Sequence, residues 1–131
     1  MSDKKIIISG STGFIGNNLV PAIDEEKLLF FSRYSFEDRN KPLLFNIKNE
    51  PVSISEILTK EITLLHLATH YSVSEGEREQ IYSANISFGE SILNSLDEVN
   101  LKKIVYTNTM FNFYENEKLK NCYYSETKKH F

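Results

Sequence analysis

The feature that most constrains this chain of 131 residues is a glycine-spaced turn near its start. The apolar run Ile6-Ile7-Ile8 is typical of a buried strand, and it leads into Gly10, Gly13 and Gly16 at G-x-x-G-x-x-G spacing. The segment that follows, Phe14–Val20, has the apolar periodicity of a helix. A strand, a tight turn and a helix in this order predict a phosphate site, because the N–H groups and the positive dipole end of the helix face the turn.

The three glycines have separate predicted roles in binding a dinucleotide. Gly10 supplies the backbone angles of the turn, Gly13 lets a pyrophosphate approach the backbone, and Gly16 lets the helix lie against the strand. An ordinary βα turn also carries glycines. The motif supports dinucleotide binding because it directly follows a strand of the buried type. The predicted cofactor-binding residues of this turn are Gly10, Ser11, Thr12, Gly13, Phe14, Ile15 and Gly16.

Composition and charge exclude several other classes of function. Hydrophobic residues make up 40% of the chain and charged residues 25%, which is the balance of a single globular domain with a core. The net charge of −3 gives no basic excess, so nucleic acid and membranes are not expected as partners. The single cysteine, Cys122, excludes an internal disulfide, and His66, His70 and His130 lack carboxylates at metal-ligand spacing. No segment has the pattern of a signal peptide or a membrane span, so we expect a cytoplasmic protein without a metal.

Apolar runs and helical patterns alternate along the rest of the chain. Strands are expected over residues 5–9, 27–32, 42–47, 62–67 and 103–107, and helices over residues 14–23, 53–58 and 80–96. Pro21 should kink or stop the first helix. The alternation predicts an α/β fold of three layers (αβα). Its Rossmann-like, doubly wound parallel sheet has strand order 3-2-1-4-5 and is truncated after the fifth strand and the start of the next helix. Residues 1–131 then form one NAD(P)-binding domain.

The residues at the end of the second predicted strand bear on the choice of cofactor. In dinucleotide folds an acidic residue at this point hydrogen-bonds the ribose 2′-hydroxyl, whereas a neutral residue with a nearby arginine accommodates a 2′-phosphate. This chain has Ser32 and Arg33 there and no acid before Glu37, and a guanidinium binds phosphate through paired hydrogen bonds. The alternative is that Arg33 is an ordinary loop residue exposed to solvent, with no role in cofactor binding. We therefore expect NADP(H) to be favoured over NAD(H).

Tyr124 and Lys128 form the pattern Y-x-x-x-K, which on a helix places both side chains on one face. A neighbouring ammonium favours the phenolate and lowers the pKa of a tyrosine from its ordinary value near 10, which suits acid–base chemistry at neutral pH. The pattern is common by chance, and its weight lies in following a dinucleotide turn and a fifth strand.

In these features the chain resembles the extended short-chain dehydrogenase/reductase family, which comprises NAD(P)-dependent nucleotide-sugar epimerases, dehydratases and reductases. The resemblance covers almost the whole sequence. Beside the glycine motif, His66-Leu67-Ala68 is similar to the family's H-x-A segment at strand four. Asn85 is similar to the asparagine of its N-x-x-G segment, with Gly89 at a different spacing. The segment Val105–Thr109 is similar to the strand-five segment that ends in a catalytic Ser or Thr.

The resemblance implies roles that spacing alone does not assign. It implies a catalytic set of Thr109, Tyr124 and Lys128, with Thr107 as an alternative hydroxyl. Asn46 stands where the family often has an acidic residue that contacts adenine, and an amide can make that contact. Beside Ser32 and Arg33, the implied cofactor contacts outside the glycine turn are Asn46, Ile47, Leu67, Ala68, Thr69, Asn85, Tyr124 and Lys128.

Two departures narrow the implied reaction. Met110 and Phe111 follow Thr109 where nucleotide-sugar 4,6-dehydratases have Asp-Glu, so dehydration is not expected. The short interval between Thr109 and Tyr124 is most similar to the CDP-abequose/CDP-paratose synthase branch, whose members reduce a 4-keto-deoxysugar nucleotide with NADPH. A nucleotide-sugar 4-epimerase with tightly held NAD is the alternative, and a non-catalytic NAD(P)-sensing module is a second one.

The chain ends at Phe131, shortly after Lys128, whereas members of the resembled family are much longer. We therefore expect an N-terminal portion that binds the cofactor, lacks the substrate-binding region and has no efficient turnover alone. An uncovered sheet edge in such a portion favours self-association, so a homodimer is also considered. The expected small-molecule partner is a nucleotide-sugar substrate.

Overall fold

A computed structural model describes residues 3–32, 42–68 and 75–107, and within them a six-stranded sheet carries the helices. The strands are β1 (Lys4–Ser9), β2 (Leu28–Ser32), β3 (Leu43–Asn46), β4 (Pro51–Val52), β5 (Glu61–His66) and β6 (Asn100–Tyr106). The α-helices are α1 (Phe14–Leu19), α2 (Arg78–Tyr82) and α3 (Phe88–Ser95).

The sheet has the Rossmann-like order that the sequence predicts. Its strands lie in the order β4-β3-β2-β1-β5-β6, and the five predicted strands correspond to β1, β2, β3, β5 and β6. Strand β1 pairs in parallel with β2 and β5, and β5 pairs in parallel with β6. The predicted order 3-2-1-4-5 is therefore confirmed, and the carboxyl ends of β1, β2, β5 and β6 share one edge of the sheet.

The prediction of an all-parallel sheet is wrong for β3. This strand runs antiparallel to β2, with Leu43 opposite Ser32 and Asn46 opposite Leu29. Only residues 33–42 separate the two strands, and a parallel crossover needs about a dozen residues or more. The chain therefore returns beside β2 in the opposite direction. The short strand β4, which the sequence did not indicate, continues the pattern by pairing antiparallel with β3.

The helical segments follow their local sequence signals. Helix α1 ends at Leu19 and continues as the 3₁₀ turn Val20–Ala22, with Pro21 in its first positions, so the predicted interruption at this proline is confirmed. The predicted helical stretch over residues 53–58 is a 3₁₀ turn, Ile54–Ile57, with Ser53 at its N-cap. The Glu56 carboxylate accepts a hydrogen bond from the Ser53 N–H at 2.6 Å, which closes the start of the turn as a capping box does.

The long predicted helix over residues 80–96 is built in three parts. Helix α2 leads into a π-helical turn, Ser83–Ser87, which leads into α3. The helix ends at Ser95, within one residue of the predicted end. Single π turns inside helices often mark functional sites, and this one contains the predicted cofactor residue Asn85.

The main cluster of buried apolar residues lies on one face of the central strands. Ile7, Leu29 and Leu64 are register neighbours on β1, β2 and β5 and are all buried. Burial of each such side chain stabilises the fold by roughly 1.5–3 kcal/mol. Three side chains from the region of α3 complete the same cluster, namely Phe88, Ile92 and Leu96. This packing holds the central strands together, and they position the turns that follow them.

Candidate functional site

Two glycines of the turn after β1 are required by the packing of the chain itself. Gly10 has φ +76°, and an added Cβ would lie 2.5 Å from the backbone nitrogen of Ala68. A Cβ on Gly16 would lie 2.5 Å from the carbonyl oxygen of Gly10. Both distances are far below van der Waals contact with backbone atoms, so the turn, the start of α1 and the end of β5 approach one another only because these residues are glycines.

Gly13 differs from the other two. Its φ of −77° and ψ of −179° are extended angles that any residue adopts. The nearest atom to an added Cβ is the Gly10 carbonyl oxygen at 3.5 Å, which is ordinary contact. The residue is exposed. The fold of the described residues therefore leaves room for a side chain at position 13.

Hydrogen bonds fix the shape of the turn. The Gly13 N–H donates to the Gly10 carbonyl at 3.2 Å, and the Asn17 N–H donates to the Gly13 carbonyl at 2.9 Å. The Asn17 side-chain amide also donates to the Thr12 carbonyl at 2.9 Å. Sequence reasoning did not single out Asn17, although an asparagine in the first turn of a helix has the short polar side chain that reaches backbone groups nearby.

A buried hydrogen-bond network joins the end of β1 to the end of β5. The Ser9 hydroxyl lies 2.6 Å from Nδ1 of His66, and both residues are buried. The same hydroxyl oxygen accepts from the N–H groups of Leu67 at 3.1 Å and Ala68 at 3.3 Å. The His66 ring stacks on Tyr106 of β6, with ring centroids 6.0 Å apart and planes 13° apart. The network thus crosses three neighbouring strands directly below the glycine turn.

A cavity of about 1130 Å³ opens at this edge of the sheet. Most of the predicted cofactor residues in the described part of the chain line it together. They are Gly10, Ser11, Thr12, Gly13, Phe14, Ile15, Gly16, Asn46, Ile47, Leu67 and Ala68. The structure therefore brings the glycine turn, the residues after β5 and the residues after β3 to one cavity, although which molecule they bind stays a prediction at this point.

The rest of the cavity lining consists largely of aromatic and apolar side chains that the sequence analysis did not single out. Phe30 and Phe45 are cross-strand neighbours on β2 and β3. The remaining lining residues outside the predicted set are Asn17, Val20, Pro21, Phe31, Asn49 and Phe88. Phe30 and Phe45 come together through the antiparallel pairing of β3, and the sequence analysis expected this strand to run in the other direction.

Asn46 has a structural role in the turn between β3 and β4. Its side-chain oxygen accepts from the N–H groups of Lys48 at 3.0 Å and Glu50 at 2.9 Å. Asn49 completes the turn with φ +61°. Because β3 runs antiparallel, Asn46 lies level with Leu29, away from the end of β2 at Ser32. The oxygen that would accept from an adenine amino group thus already accepts two backbone hydrogen bonds.

The other predicted site residues are placed differently or fall outside the described part. Asn85 is buried in the π turn and is not among the residues that line the cavity. Ser32 is the last residue of β2. Arg33, Thr69, Thr109, Tyr124 and Lys128 lie outside the described residues, so the proposed catalytic set stays a prediction.

Within residues 3–32, 42–68 and 75–107, no helix is long and apolar enough to cross a membrane. The same residues contain no group of three or more His, Cys, Asp or Glu side chains that could hold a metal ion.

Residues 6–128 match the sequence profile of the NAD dependent epimerase/dehydratase family, which is most of the chain. The chain belongs to this family. Its sheet order and glycine turn agree with the extended short-chain dehydrogenase/reductase fold. Among curated proteins, the chain is similar to a putative dihydroflavonol 4-reductase of Synechocystis sp. (strain ATCC 27184 / PCC 6803 / Kazusa), with 26% identity over 113 residues. That match covers 79% of this chain and 32% of the relative.

Solved structures share the fold of this family member at low sequence identity. A short-chain dehydrogenase/reductase superfamily protein from Agrobacterium tumefaciens with bound NAD matches with a TM-score of 0.65 and 18% identity, over 95% of this chain and 42% of that chain. The UDP-N-acetylglucosamine 4-epimerase from Bacillus cereus also matches with a TM-score of 0.65 and 18% identity, over 96% of this chain and 45% of that chain. The chain spans less than half the length of each of these proteins.

Proposed function

We propose that this chain is the cofactor-binding portion of an NAD(P)-dependent oxidoreductase that acts on a nucleotide sugar. The observation that carries the proposal is the contrast between Gly13 and the other two glycines. Gly10 and Gly16 are needed by the fold, whereas position 13 has room for a side chain and faces the cavity. A glycine there suits a ligand whose phosphates lie against the backbone.

Family membership and the matched proteins support the nicotinamide part of the proposal. The family carries NAD dependence in its name, and the Agrobacterium tumefaciens protein of the same fold contains bound NAD. In this chain the turn around Gly13 would hold the pyrophosphate, and Leu67 and Ala68 would border the cofactor from the end of β5. Ser32 and Arg33 would accept a 2′-phosphate, which favours NADP(H).

The reaction we propose is reduction of the C4 ketone of a deoxysugar nucleotide. A bound reduced nicotinamide would supply a hydride to the carbonyl carbon. Tyr124 donates a proton to the carbonyl oxygen as it becomes an alkoxide, and the Thr109 hydroxyl donates a hydrogen bond to the same oxygen. Lys128 lowers the pKa of Tyr124 and binds the ribose. Within the family, we propose the branch that makes CDP-abequose and CDP-paratose as the most specific assignment.

The substitution Gly13→Ala tests cofactor binding at the position that carries the proposal. Among the described residues beyond its chain neighbours, the nearest atom to the added methyl group is the Gly10 carbonyl oxygen at 3.5 Å, so the melting temperature should stay close to that of the parent chain. Affinity for NADPH should fall at least about tenfold, or ~1.4 kcal/mol, because the methyl group enters the space of the pyrophosphate. Isothermal calorimetry and thermal unfolding measure the two effects on the same samples.

Two controls make this result specific. Lys102→Ala, at an exposed position of β6 outside the cavity lining, should leave both affinity and melting temperature unchanged. Gly16→Ala should lower the melting temperature, because its Cβ would overlap the Gly10 carbonyl oxygen. Unchanged NADPH affinity in the Gly13→Ala variant would contradict the proposed site.

A 4-epimerase with tightly held NAD is the second candidate, and the identity of the cofactor separates it from the reductase. Affinities for NADPH and NADH are compared with and without Arg33→Ala. A preference for NADPH of about tenfold that disappears in the variant supports the 2′-phosphate role of Arg33 and a reductase. NADH binding that is as tight as NADPH binding or tighter contradicts the 2′-phosphate role of Arg33 and favours the 4-epimerase over the reductase.

A further inference from the structure

The Ser9 hydroxyl has three hydrogen-bond partners, and this number fixes the direction of each bond. A serine hydroxyl has one proton to donate and two lone pairs that accept. Leu67 and Ala68 approach it through backbone N–H groups, which only donate. The Leu67 N–H is shared, because it also donates to the Ser9 backbone carbonyl oxygen at 3.0 Å. With two N–H donors directed at its oxygen, the hydroxyl points its proton to the third partner, Nδ1 of His66, at 2.6 Å.

This direction determines the protonation state of the His66 ring. Nδ1 accepts the Ser9 proton, so it carries no proton of its own, and the neutral ring holds its proton on Nε2. We propose that His66 is a positioning residue that, through Ser9, holds the Leu67–Ala68 segment against the glycine turn, and that it does so only while Nδ1 is unprotonated. The function of His66 in this proposal is to shape the cavity, and it need not contact the reacting atoms.

Protonation of His66 leaves the network one acceptor short. A doubly protonated ring presents an N–H at Nδ1, so three donors would point at a hydroxyl oxygen with two lone pairs. The Ser9 proton would also lose its acceptor. All of these groups lie in the interior, where a donor without an acceptor is costly. The Leu67 N–H keeps the Ser9 carbonyl oxygen as an acceptor, so the contact that gives way is that of the Ala68 N–H, and the backbone at Ala68 moves away from Ser9.

Two neighbouring strands and a helix contact the ring. Ser9 faces it from β1, Tyr106 stacks on it from β6, and Phe88 of α3 lies tilted to it, with centroids 6.4 Å apart. Of these three described neighbours, Tyr106 alone is titratable, and a phenol ordinarily ionises near pH 10. None of the three carries a charge at neutral pH, so a change below pH 8 that involves this set of groups comes from the imidazole.

The Leu67–Ala68 segment has little freedom to move without changing the cavity. Gly10 approaches Ala68 so closely that a Cβ at Gly10 would lie 2.5 Å from the Ala68 nitrogen. Gly10, Leu67 and Ala68 all line the cavity. A displacement of this segment therefore changes the width of the cavity between the glycine turn and the Leu67–Ala68 segment. The consequence for affinity rests on the proposed function, because it assumes that the cofactor binds in this cavity.

Two NMR measurements on the full chain test the inference without a cofactor. A long-range ¹⁵N–¹H spectrum at neutral pH should show His66 as the Nε2–H tautomer. On acidification, the amide signals of Leu67 and Ala68 should shift with the same midpoint as the His66 ring. A ring protonated on Nδ1 at neutral pH, or an Ala68 amide that does not follow the ring, overturns the proposal.

Matched variants separate the hydrogen bond from the packing of the ring. His66→Asn keeps an acceptor near the position of Nδ1 but cannot titrate, whereas His66→Phe keeps the stacked ring and removes the acceptor. NADPH affinity of the parent chain should fall roughly tenfold on acidification, and the Asn variant should lose this pH dependence. Equal pH dependence in the Asn variant and the parent overturns the proposal. If either variant fails to fold, Ser9→Thr, which keeps the hydroxyl, and Ser9→Ala, which removes it, give the same comparison.

The two readouts distinguish failure of this inference from failure of the proposed function. If no nicotinamide nucleotide binds but the Ala68 amide follows the His66 titration, the proposed function fails and the positioning role stands. If NADPH binds with an affinity that is flat with pH and the amides do not follow His66, the proposed function stands and the positioning role fails.

Discussion

The glycine turn and the β3–β4 hairpin form two walls of the same cavity, and they use their polar groups in opposite ways. In the turn, side chains are absent at the closest approaches, and position 13 leaves its backbone open to the cavity. In the hairpin, the Asn46 oxygen accepts two hydrogen bonds from its own turn. The turn therefore leaves backbone groups open to the cavity, as the proposed cofactor site requires, whereas the polar groups of the hairpin hold the hairpin together.

The largest effect expected from this comparison is that of Gly10→Ala. The substitution forces a Cβ into a left-handed backbone position and places it 2.5–2.8 Å from backbone atoms of Leu67 and Ala68. We expect the free energy of unfolding to fall by about 3 kcal/mol or more. Urea denaturation measures it. A loss below about 1 kcal/mol would show that the turn can move away from Ala68, and that its shape is not set by packing.

The difference between the two walls also explains how much the sequence could predict. The turn was predicted correctly because its determinants are local: an apolar strand, glycines at fixed spacing and a helix directly after them. The direction of β3 was not predicted correctly, because it depends on the length of the link over residues 33–42 and on which strand β3 pairs with. The pairing of Phe30 with Phe45 and the position of Asn46 depend on that direction, so they could not be read from local patterns.

The Ser9–His66 bond shows a second limit of the same kind. The two residues are far apart in sequence, and both belong to runs that predict buried strands. Strand pairing then brings Ser9 level with His66. A polar residue at the end of each of two adjacent predicted strands is the one signal that could have indicated the contact, and it gives neither the distance nor the tautomer.

An intermediate effect is expected at Asn46, where the hairpin can be separated from cofactor binding. Asn46→Ala removes the acceptor of the Lys48 and Glu50 N–H groups, so the free energy of unfolding should fall by about 1 kcal/mol. Asn46→Asp keeps that acceptor and should retain most of the stability. NADPH affinity should change less than about threefold in the Asp variant. A loss of tenfold or more in a stably folded Asp variant would show that Asn46 contacts the cofactor as the family resemblance implies.

The smallest effect is expected at Asn49, which tests whether the hairpin wall is shaped by backbone preference alone. Its φ of +61° is a conformation that glycine and asparagine adopt at low cost and other residues do not. Asn49→Gly should leave the melting temperature nearly unchanged, whereas Asn49→Ala should lower the free energy of unfolding by about 1 kcal/mol. Thermal unfolding of both variants, with NADPH affinity as a second readout, measures the difference. Because Asn49 lines the cavity, a change in affinity in the Gly variant without a change in stability would mean that the hairpin takes part in binding, as we propose for the glycine turn.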